Sequence, residues 1–398
     1  MVEFVQAMDF CTSVRDGTHD TPKPTYSGYK LVTGKHIKNG QIDPSDAYFI
    51  SEEDYNKINE RSLVEKWDVL MSMIGTVGEV AVVKDVPDYA IKNVALFKCG
   101  GSDLKGRWLS YYLRTPFAKG HMSGNQKGSS QQFLSLKQLR ELPVPVVEER
   151  KMLRIIDILS AYDDLIENNQ KQIKLLEEAA QRLYKEWFID LRFPGHESTP
   201  IHDGIPEGWR EKPIGKQFVT VLGGTPSRAN SSYWNGTTNW INSGEINNLR
   251  IIKASELITS QAVKESATKM MPKHTTVLAI TGATLGQVSY TEIETCANQS
   301  VVGIIDESQF YSAYIYLYVS DRITHMIGKA TGGAQQHINK DIVNAYPIVL
   351  PSEDIVKRLN QVVIPIFDKI ASLLFQNQKL AEARDRLLPK LMSGEIEV

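Results

Sequence analysis

Stepping alternately by four and three residues from Ile155, apolar side chains recur at Leu159, Tyr162, Ile166, Ile173, Leu176, Ala180, Leu183 and Trp187, with one polar position at Asn169. This a/d heptad spacing predicts a long helix with one narrow apolar seam. The same walk near the C-terminus takes in Leu359, Val363, Ile366, Ile370, Leu373, Leu380, Leu387 and Leu391, with Asn377 and Arg384 as its polar positions. Two helices whose stripes are too narrow to be stable alone in water are expected to bury them against each other. Run antiparallel, they bring Asn169 and Asn377 to the same level, where a facing amide pair sets the register at some cost in stability.

Around these helices the pattern repeats with a period of about 205 residues, far too long for a solenoid. Val69-Leu70, Gly78, Asn93, the polar run Gly128 to Gln132, and Leu142-Pro143-Val144 precede the first helix. Val277-Leu278, Gly286, Asn298, the run Gly332 to Gln336, and Tyr346-Pro347-Ile348 precede the second in the same order. Within each copy, Asp68 to Lys84 and Thr276 to Thr291 are rich in β-branched residues and broken by a glycine-bearing turn, which predicts hairpins. Ser102 to Phe117 and Ser308 to Ile327 read as short helices carrying aromatic residues. The expected architecture is α/β, with two mixed, strand-rich domains separated by two long antiparallel coiled-coil helices in a pseudo-twofold internal repeat. The expected segments are 1–146, 147–192 (helical), 193–351 (linker and second domain) and 352–398 (helical). Pro365 is expected to kink the last helix or to split a short helix from it. Copy one shows no counterpart of Glu207 to Gly215, so either the tail after Gly394 is expected to fill that place or the first domain is expected to be slightly truncated.

Composition narrows the class. A chain of 398 residues exceeds one ordinary core. No apolar run approaches a membrane span, and the N-terminus lacks a basic stretch followed by an apolar one. Cys11, Cys99 and Cys296 are scattered, which favours a reducing, cytoplasmic setting over a structural zinc site. A net charge of −2 argues against a globally basic nucleic-acid binder but leaves room for a local patch.

Catalytic patterns are weak. Pro87-Asp88 followed by Asp103 and Lys105 satisfies a loose metal-nuclease spacing that the second copy does not repeat. Gly75 to Gly78 and Gly282 to Gly286 are too short for a dinucleotide fingerprint and read as turns between strands. The nucleic-acid pattern is better. Leu104 to Arg140 holds no acidic residue, and its polar centre carries Lys119, Lys127, Ser129, Ser130, Gln131 and Gln132. Lys and Arg neutralise phosphates, whereas Gln and Asn hydrogen-bond to adenine edges. Copy two repeats the loop with Lys329, Gln335, Gln336, His337 and Asn339. Further candidates are Arg15, His19, Lys23, Lys35 and His36 in copy one, and Arg228, Asn230, Asn239, Asn242 and Ser243 in copy two.

With these features the chain resembles the DNA-specificity subunit of type I restriction-modification systems along essentially its whole length. The resemblance rests on Leu387 to Ile396 as the C-terminal ending and on Asp163 to Asn169 as the central conserved helix. It rests also on Ile205-Pro206-Glu207-Gly208-Trp209, with Gly223 to Ser227, as the opening of a target-recognition domain. It implies a non-catalytic reader of bipartite double-stranded DNA whose helices set the unread spacer. Two adenine-N6 methyltransferase subunits and motor-nuclease restriction subunits are the implied partners. S-adenosylmethionine, ATP and Mg²⁺ would be bound by those partners, and no cofactor or metal by this chain. A type IIB-like specificity subunit, a protein-binding scaffold without DNA affinity, and a nuclease using Asp88, Asp103 and Lys105 remain open.

Overall fold

The computed structural model describes residues 3–74, 77–123, 134–329 and 337–398. The chain divides into two compact units, Met1–Ile166 with Lys379–Val398, and Glu167–Gln378. Both long helices, Glu149–Tyr184 and Glu353–Ser393, contribute to each unit. The second runs unbroken through Pro365, so the expected split does not occur.

In the first unit, strands Ser13–Asp16, Val94–Lys98, Val69–Ser72 and Val80–Val82 lie in that order in one antiparallel sheet. The central strands are buried on both faces, which explains their nearly continuous apolar runs. Val69, Met71, Ala95 and Phe97 join the core beneath helix Asp103–Arg114 and the long helices. Leu70, Val94 and Leu96 face the other way, into a core with Val32, Ile37 and Ile91. A second sheet pairs Tyr29–Val32 with Phe49–Ile50 and, in parallel, with Tyr89–Ile91.

The second unit repeats the plan. Val219–Leu222, Val301–Ile305, Thr276–Ala279, Val288–Thr291 and Arg250–Ile251 form a five-stranded sheet. Its faces divide likewise: Leu278, Val302 and Ile304 toward the helices, Val277, Ala279 and Val301 away from them. A three-stranded sheet again contains one parallel pair, Trp240 opposite Cys296.

The anchoring of each domain helix is also duplicated. Trp108 Nε1 donates to the Pro145 carbonyl at 2.7 Å, and the Tyr112 hydroxyl donates to Pro143. One repeat later, Tyr314 donates to Val349, and Tyr318 to Pro347 at 3.0 Å. Donors at i and i+4 share one helix face and therefore meet alternate carbonyls of one strand.

One expectation needs correction. Copy one does have a counterpart of the strand that opens copy two: Glu3–Gln6 pairs antiparallel with Pro143–Val146, as Arg210–Pro213 pairs with Pro347–Leu350. A short helix follows in both, Ala7–Phe10 and Ile214–Gln217. The two opening strands share no sequence motif, because a strand held by main-chain bonds tolerates almost any side chain. The tail after Gly394 instead packs Ile396 and Val398 against the first unit's core.

In each unit the long helices meet antiparallel. Asn169 is buried in the second unit and donates from Nδ2 to Asn377 Oδ1 at 2.8 Å and to Gln376 Oε1 at 3.0 Å. Ile173, Ala180, Val363, Ile370 and Leu373 share its core. In the first unit, Ile155, Leu159, Leu388 and Leu391 do the same, with Arg384 donating to Asp163.

Candidate nucleic-acid interface

The turn after strand Tyr29–Val32 is a one-turn 3-10 helix, Gly34–His36, closed by a reciprocal capping box with Thr33. His36 accepts the Thr33 backbone N–H on Nδ1 at 2.8 Å, and its Nε2 lies 3.1 Å from Asp46. Burial pushes the imidazole pKa down despite the pull of Asp46. The ring is buried and its Nδ1 is taken by the Thr33 backbone, so His36 supports the turn that carries it. Copy two supports this reading, since Asn242 and Glu245 build the same box around Ser243–Asn247, with Asn242 N donating to Glu245 at 2.9 Å.

Several candidate asparagines prove to be caps or ties, as their short polar side chains favour. Asn242 Oδ1 takes the Gly244 N–H, Asn230 Oδ1 takes that of Ser232, and Asn339 Oδ1 takes that of Ile342. Asn239 Nδ2 donates to the Glu294 carbonyl. Ser243 is half-buried in the first turn of its 3-10 helix. These residues keep their loops in shape, and only their remaining donors and acceptors are available to a base.

Among the charged candidates, Lys23, Lys35 and Lys119 are exposed, Lys119 on helix Pro116–Ser123. Lys35 pairs with Asp46 at 3.0 Å beside a concave surface of about 500 Å³ shared with Lys38, Asn39, Ile74 and Glu79. Arg15 donates to the Arg61 carbonyl at 2.6 Å. His19 bridges Asn93 Oδ1 at 2.8 Å and the buried carboxylate of Asp16 at 3.0 Å, which also receives Arg61. A second hollow, about 280 Å³, brings His19 together with Lys57 and Arg61. Lys57 and Arg61 lie four residues apart on helix Glu52–Ser62. That spacing was visible in the sequence, but the hollow they share with His19 comes from chain crossing.

In the second unit Arg228 lies flat on Trp234, 3.6 Å from the ring centroid, while its fork grips Glu256. The side-chain bond to Arg228 holds the Glu256 carboxyl below its usual range. Two of the five guanidinium donors are used on Glu256, and the rest of the group is exposed. Lys329 is exposed, with its ammonium 5.1 Å from the Tyr346 ring, and His337 is exposed beside Asn339. Lys127, Ser129, Ser130, Gln131, Gln132, Gln335 and Gln336 lie outside the described residues.

Two of the three nuclease candidates have partners within the fold. Lys105 donates to the Phe10 carbonyl at 3.1 Å and covers the Phe10 ring, and Asp103 faces Arg107 from the first turn of its helix. Among the described residues, no group of three or more His, Cys, Asp or Glu is placed to hold a metal ion. Nor is any described helix long and apolar enough to cross a membrane.

Comparison with known proteins accounts for the duplication. The type I restriction modification DNA specificity domain matches residues 2–178 and again residues 206–382. The MjaIX type I restriction enzyme specificity subunit of Methanocaldococcus jannaschii is 26% identical over 345 residues, 84% of this chain and 78% of that protein. The HindI specificity subunit of Haemophilus influenzae is 22% identical over 326 residues, 66% of this chain and 71% of that protein. The crystal structure of a type I restriction-modification S subunit from M. genitalium has the same fold, with a TM-score of 0.57 at 14% identity, covering 98% of this chain and 96% of that one.

Proposed function

Because the chain belongs to the type I restriction modification DNA specificity family, we propose that each unit reads one half of a bipartite duplex and that the long helices carry the methyltransferase subunits. The protein is a non-catalytic specificity subunit of a type I restriction-modification system. The observation that carries the bipartite reading is the duplication itself: two family matches coincide with two copies of one sheet topology. Two homologous readers in one chain address two half-sites separated by bases that neither touches.

Phosphate contact falls to Lys23, Lys35, Lys57, Lys119 and Lys329, whose charge gives sequence-independent affinity. Base reading falls to the loops around Gln131, Gln132, Gln335 and Gln336, since an amide can bond to adenine in a bidentate manner. Adenine-N6 methylation and cleavage, with S-adenosylmethionine, ATP and Mg²⁺, belong to the methyltransferase and restriction partners.

For the methyltransferase surface, outward charges on the first long helix are poor anchors. Lys171 pairs with Glu167, Glu178 with Arg182, and Lys185 with Asp190. Apolar side chains left outside the seam fit better: Leu153 and Leu165 in the first unit, and Leu175, Val362, Ile364 and Phe375 in the second. Leu175, 64% exposed, is the most accessible of them.

The test is co-expression with a type I methyltransferase subunit from the same genome, in a host without adenine methylation, followed by mapping of N6-methyladenine. A split motif with a fixed spacer is expected. A complex that copurifies without methylating DNA would overturn the DNA-reading assignment and leave a protein scaffold.

A further inference from the structure

In the second unit one guanidinium joins four elements. Arg250, on the edge strand of the five-stranded sheet, has a fully buried side chain. Its Nη2 donates to Glu177 on the first long helix at 2.9 Å, and its Nε lies 3.5 Å from Glu292. The plane sits 4.4 Å from the ring centroids of Tyr316, on the domain helix Ser312–Gly328, and of Phe367, on the second long helix. Tyr316 donates its hydroxyl to Glu177 at 2.7 Å.

The first unit has a joint of the same chemistry at non-equivalent residues. Asp163 on the first long helix receives Tyr111 at 2.9 Å, Arg114 at 3.2 Å, and Arg384 of the second long helix. The offset from Pro143 to Pro347 is 347 − 143 = 204, and 163 + 204 = 367, so Phe367 occupies the repeat position of Asp163. The backbone anchors of the two copies were preserved while their charged joints were rebuilt.

Buried ion groups are a poor source of stability, since apolar side chains of similar volume are as good or better. They do add direction. A close-packed apolar seam carries no hydrogen-bond geometry of its own, whereas a planar fork, a carboxylate and a hydroxyl at fixed lengths favour one arrangement. Tilt matters to a reader of spaced half-sites. With a lever of about 20 Å, the scale of a domain of this size, a tilt of about 10° moves a recognition loop by about 3.4 Å, one base-pair step.

We propose that Arg250, Glu177 and Tyr316 are positioning residues that fix the tilt of the second recognition domain on its helices and thereby hold the protein to one spacer length. The inference rests on the bipartite reading above.

The test replaces the charges with neutral side chains of similar size, Arg250→Met/Glu177→Gln/Glu292→Gln, in the chain co-expressed with its methyltransferase, and maps N6-methyladenine beside the unaltered protein. Both half-site sequences should persist, while the share of methylated sites with a spacer one base pair too long or too short rises at least tenfold. A folded variant that keeps the single spacer overturns the inference and leaves the bipartite reading standing. If the triple variant fails to fold, Tyr316→Phe decides, since it removes only the hydroxyl: a broadened spacer supports the joint, and an unchanged one overturns it. Absence of any split motif with the unaltered protein overturns the functional reading, and the inference with it.

Discussion

Asp163 shows how much one side chain carries. Burial alone would raise its carboxyl pKa, but Arg114 and Arg384 beside it, with the bond from Tyr111, hold it below the usual range. A carboxyl depressed in the folded state stabilises above its unfolded pKa of about 3.9, and that contribution is lost as the pH falls through the folded value. Urea unfolding from pH 7 downward should therefore show Asp163→Asn less stable by about 1–3 kcal/mol at neutral pH, with the gap closing in acid. His36→Leu should cost about 1–2 kcal/mol through the lost bond to the Thr33 backbone and leave DNA affinity unchanged when measured on the folded protein. Lys119→Ala should weaken binding evenly across sequences and reduce the slope of log affinity against log salt by about one. Sequence alone gives His36 and the asparagines two possible roles, because polar residues near glycine-rich turns serve caps and bases with the same atoms. Only their hydrogen-bond partners separate the two roles.

At the scale of elements, the heptad walk located both long helices, and the amide pair is where they cross in the second unit. Replacing both partners, Asn169→Leu/Asn377→Leu, should raise the thermal midpoint by several degrees, since each 1 kcal/mol moves it by about 2–4 °C in a unit the size of Glu167–Gln378. Asn169→Leu alone should lower it, because the half-buried Asn377 amide then loses its bond to Asn169 and lies against a leucine, at a cost of about 1 kcal/mol. Circular dichroism melting distinguishes the two. Pro365 does not split its helix: a proline removes one donor, yet a helix packed along one face by Val363, Phe367 and Ile370 continues past it. The duplicated tyrosine anchors make a matched pair, and Tyr112→Phe and Tyr318→Phe should each cost about 1 kcal/mol.

For the whole molecule the readable variable is the spacer. Inserting one heptad into each long helix at matching seam positions keeps the a/d pattern and adds seven residues at about 1.5 Å each, close to 10 Å or about three base pairs. Methylation mapping should recover both half-sequences at the longer spacing. Loss of either half-sequence would show that the helices do more than hold the readers apart. The partition into units carries the same logic, because each unit takes part of both helices and each reader is thus braced by two stretches of chain remote in sequence.

Period and order were properties of the chain alone. The seams, the central hairpins and the duplication could be read in one dimension, because heptads, alternation and repeats are local regularities repeated at a distance. Partners across the fold could not. Glu3–Gln6 is recognisable as the counterpart of Arg210–Pro213 only through the carbonyls it faces, since main-chain hydrogen bonds leave no mark on side-chain identity. Arg250 and Glu177 stand 73 residues apart, and Asp163 and Arg384 221 apart. Burial and pairing of such charges depend on which surfaces close over them. The sequence carried which residues are available to read DNA, and tertiary structure decided which of them the fold had already used for itself.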